Sequence, residues 1–174
     1  MRKMVFTVMV LSLSLVFASC KEKSEPVYRG QTPPRLNAGK EISLLEDAVR
    51  KDPKNVGALI RLGNLAMDAQ RYEKAIDAYG KALELQPKDV DVRVDLGTCY
   101  RNMGMPEKAV EAYRQAIAIN PRHSNAHRNL GVVLAYDLKK PHEAAEELQQ
   151  YLKLMPNAPD AMLIREEILK LRGM

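Results

Sequence analysis

The sequence predicts an all-α fold, a solenoid of antiparallel helix pairs closed by a capping helix at each end, and three observations predict it. Pro53, Pro87 and Pro121 recur every 34 residues and Pro156 follows after 35. The same step relates Leu62, Leu96 and Leu130, then Gly63, Gly97 and Gly131, then Ala48, Ala82 and Ala116, and the pairs Ala75/Ala109 and Tyr79/Tyr113. A period of this length marks stacked supersecondary units. Within a unit, Leu59, Leu62, Gly63 and Ala66 fall at i, i+3, i+4 and i+7, one face of a helix. The composition agrees, with no Trp, two Phe and an abundance of Ala, Leu, Glu, Lys, Arg and Met, which favour helix over strand.

Residues 1–19 read as a secretory signal: Arg2 and Lys3 precede an uncharged stretch from Met4 to Ser19. These 16 uncharged residues, diluted by Thr7, Ser12, Ser14 and Ser19, fall short of the ~20 apolar residues that span a bilayer. The stretch ends Val16-Phe17-Ala18-Ser19-Cys20, which resembles the lipobox of bacterial lipoproteins, with Phe17 where Leu is commoner. The resemblance implies a diacylglyceryl group on the Cys20 thiol, cleavage before it and acylation of the new amino terminus. Several acyl chains anchor stably where one does not, each buried CH₂ contributing about 0.8 kcal/mol. An ordinary secretory signal or an uncleaved anchor is the alternative. Lys21 after Cys20, rather than Asp, implies delivery to the outer membrane, facing the periplasm, if the enteric sorting rule applies. Cys99 is the only other cysteine, so a lipidated Cys20 leaves no disulfide framework, and Cys99 reads as a small buried hydrophobe.

Residues 20–39 carry Pro26, Gly30, Pro33, Pro34 and Gly39 without periodicity and read as a flexible tether spanning roughly 25 Å. Leu45, Ala48 and Pro53 then repeat, one period early, the places of Tyr79, Ala82 and Pro87, which predicts a capping helix of about 40–51 within residues 40–54.

Three full units follow at 56–89, 90–123 and 124–158. Each reads as two helices, a break near Gln70 and Arg71 in the first unit, and a proline that stops the second helix. The small residues let paired helices approach, with Tyr79 and Tyr113 filling the space between. Leu96-Gly97, Tyr100, Ala109, Tyr113, Ala116 and Pro121 resemble the tetratricopeptide repeat, and Leu62-Gly63, Ala75, Tyr79, Ala82 and Pro87 match it nearly as well. The aromatic that often opens such a repeat is replaced by Leu59, Arg93 and His127. The third unit carries one extra residue, expected in its inter-helix turn around Asp137 to Pro141, after which Ala144, Leu148 and Tyr151 resume the register. Residues 159–172 are expected as a C-terminal capping helix, apolar along Ile164, Ile168 and Leu171 and charged along Arg165, Glu166, Glu167 and Lys170.

In this family the face of the first helix turned from its packing stripe lines a concave groove that binds peptides or folded partners. A rotation of about 100° per residue puts Gly57, Ile60, Asn64, Met67 and Asp68 on that face in the first unit. Asp91, Val94, Thr98, Arg101 and Asn102 follow in the second, and Asn125, Arg128, Val132, Ala135 and Tyr136 in the third. The stripe is mixed, with Asp68 and Asp91 balanced by Arg101 and Arg128, Asn64, Asn102 and Asn125 as hydrogen-bonding groups, and Ile60, Met67, Val94 and Val132 as apolar contacts. Some members clamp a terminal carboxylate with Lys and Asn. Here Ile60 stands in place of the Lys and Thr98 in place of a second Asn, so that clamp is not expected.

These features point to a non-catalytic scaffold or adaptor of the bacterial envelope that binds an envelope protein or peptide and needs no cofactor. It resembles the lipoproteins that assist pilus secretins or cell-wall enzyme complexes, although pilus-type members carry more repeats. Self-association into a homo-oligomer is the alternative. A remoter one is a metal-binding or enzymatic role for His123 and His127, four residues apart, but no third ligand, phosphate loop or nucleophile motif accompanies them. The formal charge of +5 does not point to nucleic acid: without residues 1–20, 25 basic side chains face 22 acidic ones, interspersed.

Overall fold

A computed structural model describes residues 37–173, which form α1 (Ala38–Lys51), α2 (Val56–Asp68), α3 (Tyr72–Leu85), α4 (Val90–Asn102), α5 (Pro106–Ile119), α6 (Ser124–Val132), α7 (Pro141–Leu154) and α8 (Ala161–Leu171). A π-helical turn, Val133–Asp137, prolongs α6. Each helix packs on its neighbours in chain order, α2 on α3, α4 on α5 and α6 on α7 within the three repeats. The expected signal, Cys20 and nearly all of the tether lie outside the described residues. The tether ends slightly earlier than its expected limit at 39, because Asn37 accepts from the Gly39 N–H at 3.1 Å and starts α1 there. Gly39, counted as a breaker, sits in the first helical turn. At the other end α8 begins at Ala161 rather than 159.

The first helix of every repeat starts on a side-chain cap at the same place in the period. Asn55 accepts from the Ala58 N–H (2.9 Å), Asp89 from Val92 (3.0 Å) and His123 Nδ1 from Ala126 (3.2 Å). The second helices follow a residue in the left-handed region, Gln70 (φ 58°), Gly104 (φ 71°) or Lys139 (φ 56°). This residue lets the next N–H turn back to the preceding helix, Arg71 to Ala66 O (2.7 Å), Met105 to Tyr100 O (2.9 Å) and Lys140 to Leu134 O (2.8 Å). The last of these spans one residue more than the other two. The extra residue of the third repeat therefore lies before Lys139, wound into the π turn, where the Leu138 N–H bonds Val133 O at 3.0 Å. The turn itself keeps its form, which corrects the expected position and puts His142 inside the first turn of α7.

Packing within a repeat depends on contact between glycine and a large side chain. A Cβ built on Gly97 would lie 2.7 Å from the Tyr113 ring, one on Gly131 would lie 2.7 Å from Leu148, and Gly63 meets Tyr79 closer still. Tyr79, Tyr113 and Leu148 are buried as a result. The buried clusters ignore repeat boundaries: Leu59, Ala66, Ala75, Tyr79 and Ala82 of the first repeat join Val92, Leu96 and Cys99 of the second. Val94, Ala109 and Tyr113 likewise join Ala126, Leu130, Val133 and Ala144 of the third. Ile42 of α1 closes one end against Leu62 and Ala78, and Ile164 and Ile168 of α8 close the other against Leu148 and Tyr151. Burial, and secondarily the charge of Asp95, pushes the Cys99 thiol up to about 12, so it packs as an apolar group.

Candidate partner-binding groove

α2, α4 and α6 carry the predicted stripe, and the twelve predicted contact residues separate by exposure. Asn64, Asp68, Asp91, Asn102, Asn125 and Tyr136 are exposed, whereas Ile60, Met67, Thr98, Arg101 and Arg128 are half-buried. Val94 is 6% exposed and packs among Ala126, Leu130 and Val133, so it offers no free apolar contact. The first helix of the third repeat lies over this short side chain. Ala135 is buried as well, and Met67 leans on the core around Ala66 and Tyr79.

Hydrogen bonds fix several of the polar groups. The Tyr79 hydroxyl donates to Asn64 Oδ1 (2.7 Å), and the Thr98 and Tyr113 hydroxyls share a bond of 3.1 Å. Asn102 Nδ2 donates to Thr98 O at 2.8 Å, which makes this amide a brace for its own helix. Thus the tyrosines that fill the repeats also aim their hydroxyls at the concave side.

Charge is arranged differently from the expected balance. Arg101 Nε donates to Asp137 Oδ2 (2.6 Å) and Arg128 Nε to Asp160 Oδ2 (2.8 Å), so neither arginine neutralises Asp68 or Asp91. Asp91 instead lies 2.9 Å from His123 Nε2. Because His123 Nδ1 accepts the cap bond, its proton sits on Nε2, which donates to Asp91. The remaining acids, Asp68 and Asp95, have no ion-pair partner among the described residues. Partial burial, reinforced by the charges of Asp91 and Asp89, raises the Asp95 carboxyl to about 6.

α8 enters the groove as more than a cap. Asp160, which ties down Arg128, also accepts from the Tyr151 hydroxyl at 2.6 Å, and these bonds, Tyr151 first, hold its carboxyl below the usual range. Tyr136 donates to Glu167 at 2.6 Å, which raises the phenol. Asp160 and Glu167 bond to stripe residues, Asp95 and Leu163 adjoin the stripe in register, and none of the four is in the predicted stripe. For three of them the signal was present: Asn125, Arg128 and Val132 advanced by 35 residues reach Asp160, Leu163 and Glu167.

The two histidines do not converge. His123 is engaged at both ring nitrogens, and His127 is buried with Nδ1 2.6 Å from Glu147 Oε2 and Nε2 3.0 Å from Pro121 O. The four-residue spacing serves a cap and a packing position, and among the described residues no group of three or more His, Cys, Asp or Glu has metal-site geometry.

Residues 66–132 match the family model for the tetratricopeptide repeat. The fold is a tetratricopeptide-repeat solenoid. Solved structures similar to this solenoid include MamA, at 23% identity over 77% of this chain and 84% of that one, with a TM-score of 0.69. A tetratricopeptide repeat protein from Parabacteroides merdae is 24% identical over 78% of this chain and 54% of its own, also at 0.69. The first such domain of Spaghetti, solved with the HSP90 peptide SRMEEVD, is 23% identical over 71% of this chain and 97% of its own, with a TM-score of 0.64. No curated protein matches the chain in sequence.

Proposed function

We propose that the protein is a non-catalytic scaffold of the bacterial envelope, lipid-anchored through Cys20, whose solenoid binds a segment of another envelope protein. The observation that carries the binding role is the run of exposed, chemically mixed side chains along successive first helices: Asn64 and Asp68, then Asp91, then Asn125 and Tyr136. A scaffold held by buried glycine–tyrosine contacts presents this face rigidly, which lowers the entropy lost on binding. The Spaghetti domain, of similar fold, was solved with a bound peptide, so the architecture accommodates this kind of ligand. The envelope assignment rests on the lipobox-like segment ending at Cys20 and the Pro-rich tether after it. With a groove of three repeats, any single peptide contact is weak, and confinement to a membrane raises the effective concentration of partners on the same surface. The partner belongs to an envelope machine such as a pilus secretin or a cell-wall enzyme complex.

A photo-crosslinking residue placed in intact cells at Asn64, Arg101 or Arg128 tests this reading. The expected result is one envelope protein captured from all three positions and not from Lys170. Capture only of a second copy assigns the surface to self-association, and capture of nothing removes the binding role.

A further inference from the structure

We propose that α8 is a wall of the groove, and that the groove takes a partner segment with basic side chains toward α2 and α4 and a large apolar side chain toward α6 and α8. This rests on the groove reading above and names the chemistry of its ligand.

The register places α8. Asp160 is tied to Arg128 and Glu167 to Tyr136, so two ends of one α8 face lie beside the concave side of α6 and its π turn. Leu163, three residues after Asp160 and four before Glu167, falls between them on the same face. It is 67% exposed, and Tyr136, which is bonded to Glu167 one helical turn further along, is 51% exposed. A capping helix is expected to turn polar groups outward, and α8 does so at Arg165 and Glu166 while burying Ile164 and Ile168. Met162, Leu163 and Leu169 are exposed and break that pattern, and of these Leu163 shares the face of Asp160 and Glu167. A leucine and a tyrosine left open about one helical turn apart supply the kind of apolar anchor site that dominates small interfaces.

The other half of the groove has the opposite character. Arg101 and Arg128 are already neutralised by Asp137 and Asp160, which leaves the exposed Asp68 and the half-buried Asp95 without an ion-pair partner among the described residues. A segment bearing Lys or Arg supplies a counter-charge. A carboxylate-rich segment such as SRMEEVD would meet like charge there.

Selection of a random dodecapeptide library on the immobilised full chain tests the proposal. The expected winners carry Lys or Arg at one end and Leu, Met or Phe several residues away. In fluorescence anisotropy with the best of them, Leu163→Ser weakens binding roughly tenfold and, on reselection, loses the apolar preference while keeping the basic one. Asp68→Asn with Asp95→Asn does the reverse and flattens the salt dependence of binding. Circular dichroism confirms that both variants are folded. Acidic winners, no enrichment, or a Leu163→Ser affinity equal to wild type overturns the proposal. So does a concentration-dependent dimer in light scattering that Leu163→Ser dissolves, since a second copy then fills the face. Capture from Asn64, Arg101 and Arg128 in cells alongside such a failure leaves the groove as a binding surface and removes only its assigned chemistry.

Discussion

Asp95 shows how a single residue is set against the stability of the fold. Its folded-state carboxyl titrates at about 6, raised first by burial and then by Asp91 and Asp89, whereas an unfolded chain returns it to the ordinary value near 4. Between those values the folded state holds more protons, so this residue's contribution to stability is complete in acid and is lost as pH rises through about 6. Asp160 has the opposite sign: its lowered carboxyl contributes above the ordinary value and loses that contribution as pH falls. Asp95→Asn should therefore raise stability at neutral pH by about 1 kcal/mol, the upward shift being discounted for the screening of a part-exposed group. Urea titrations across the acidic range should also show a flatter slope for the variant between the two values. An unchanged midpoint at neutral pH would mean that Asp95 is solvated in the folded chain.

At the scale of elements, the three inter-helix turns do the same job with different residues. Gly104 takes the left-handed conformation without strain, and Gln70 and Lys139 take it with a Cβ. Gly104→Ala meets nothing within 4 Å, so its whole effect is backbone strain. It should lower stability by about 1 kcal/mol, and Gln70→Gly or Lys139→Gly should raise it by somewhat less. Thermal melts of the three variants check the pattern, and a stabilised Gly104→Ala would contradict the turn geometry. The π turn before Lys139 shows why element boundaries were harder to read than element identity. An extra residue is visible as a 35-residue step, but whether helix or loop absorbs it depends on which arrangement keeps Lys140 bonded back to Leu134.

For the molecule as a whole, the decisive feature is that the buried clusters cross every repeat boundary. Stability in such arrays is a sum of repeat and interface terms, and continuous interfaces couple the repeats strongly. Calorimetry of the folded domain should show one transition with equal calorimetric and van't Hoff enthalpies. Two resolved transitions would mean that the α7–α8 end, joined through Tyr151, Asp160 and Arg128, melts apart from the rest. The same couplings turn separate helices into one concave surface, since Arg101, Arg128 and Tyr136 each reach a residue some thirty positions onward.

The sequence by itself determined the helix pairs, their register, the glycine–tyrosine packing and the capping helices, because these follow from local periodicity and from residues repeated at one step. Tertiary structure alone decided what the groove presents. Val94 belongs to the predicted stripe yet is covered by the next repeat, and Arg101 and Arg128 look free in sequence but are held by Asp137 and Asp160. A side chain's periodic position fixes the face it occupies. Its exposure and net charge depend on partners that the period brings close only after the repeats have stacked.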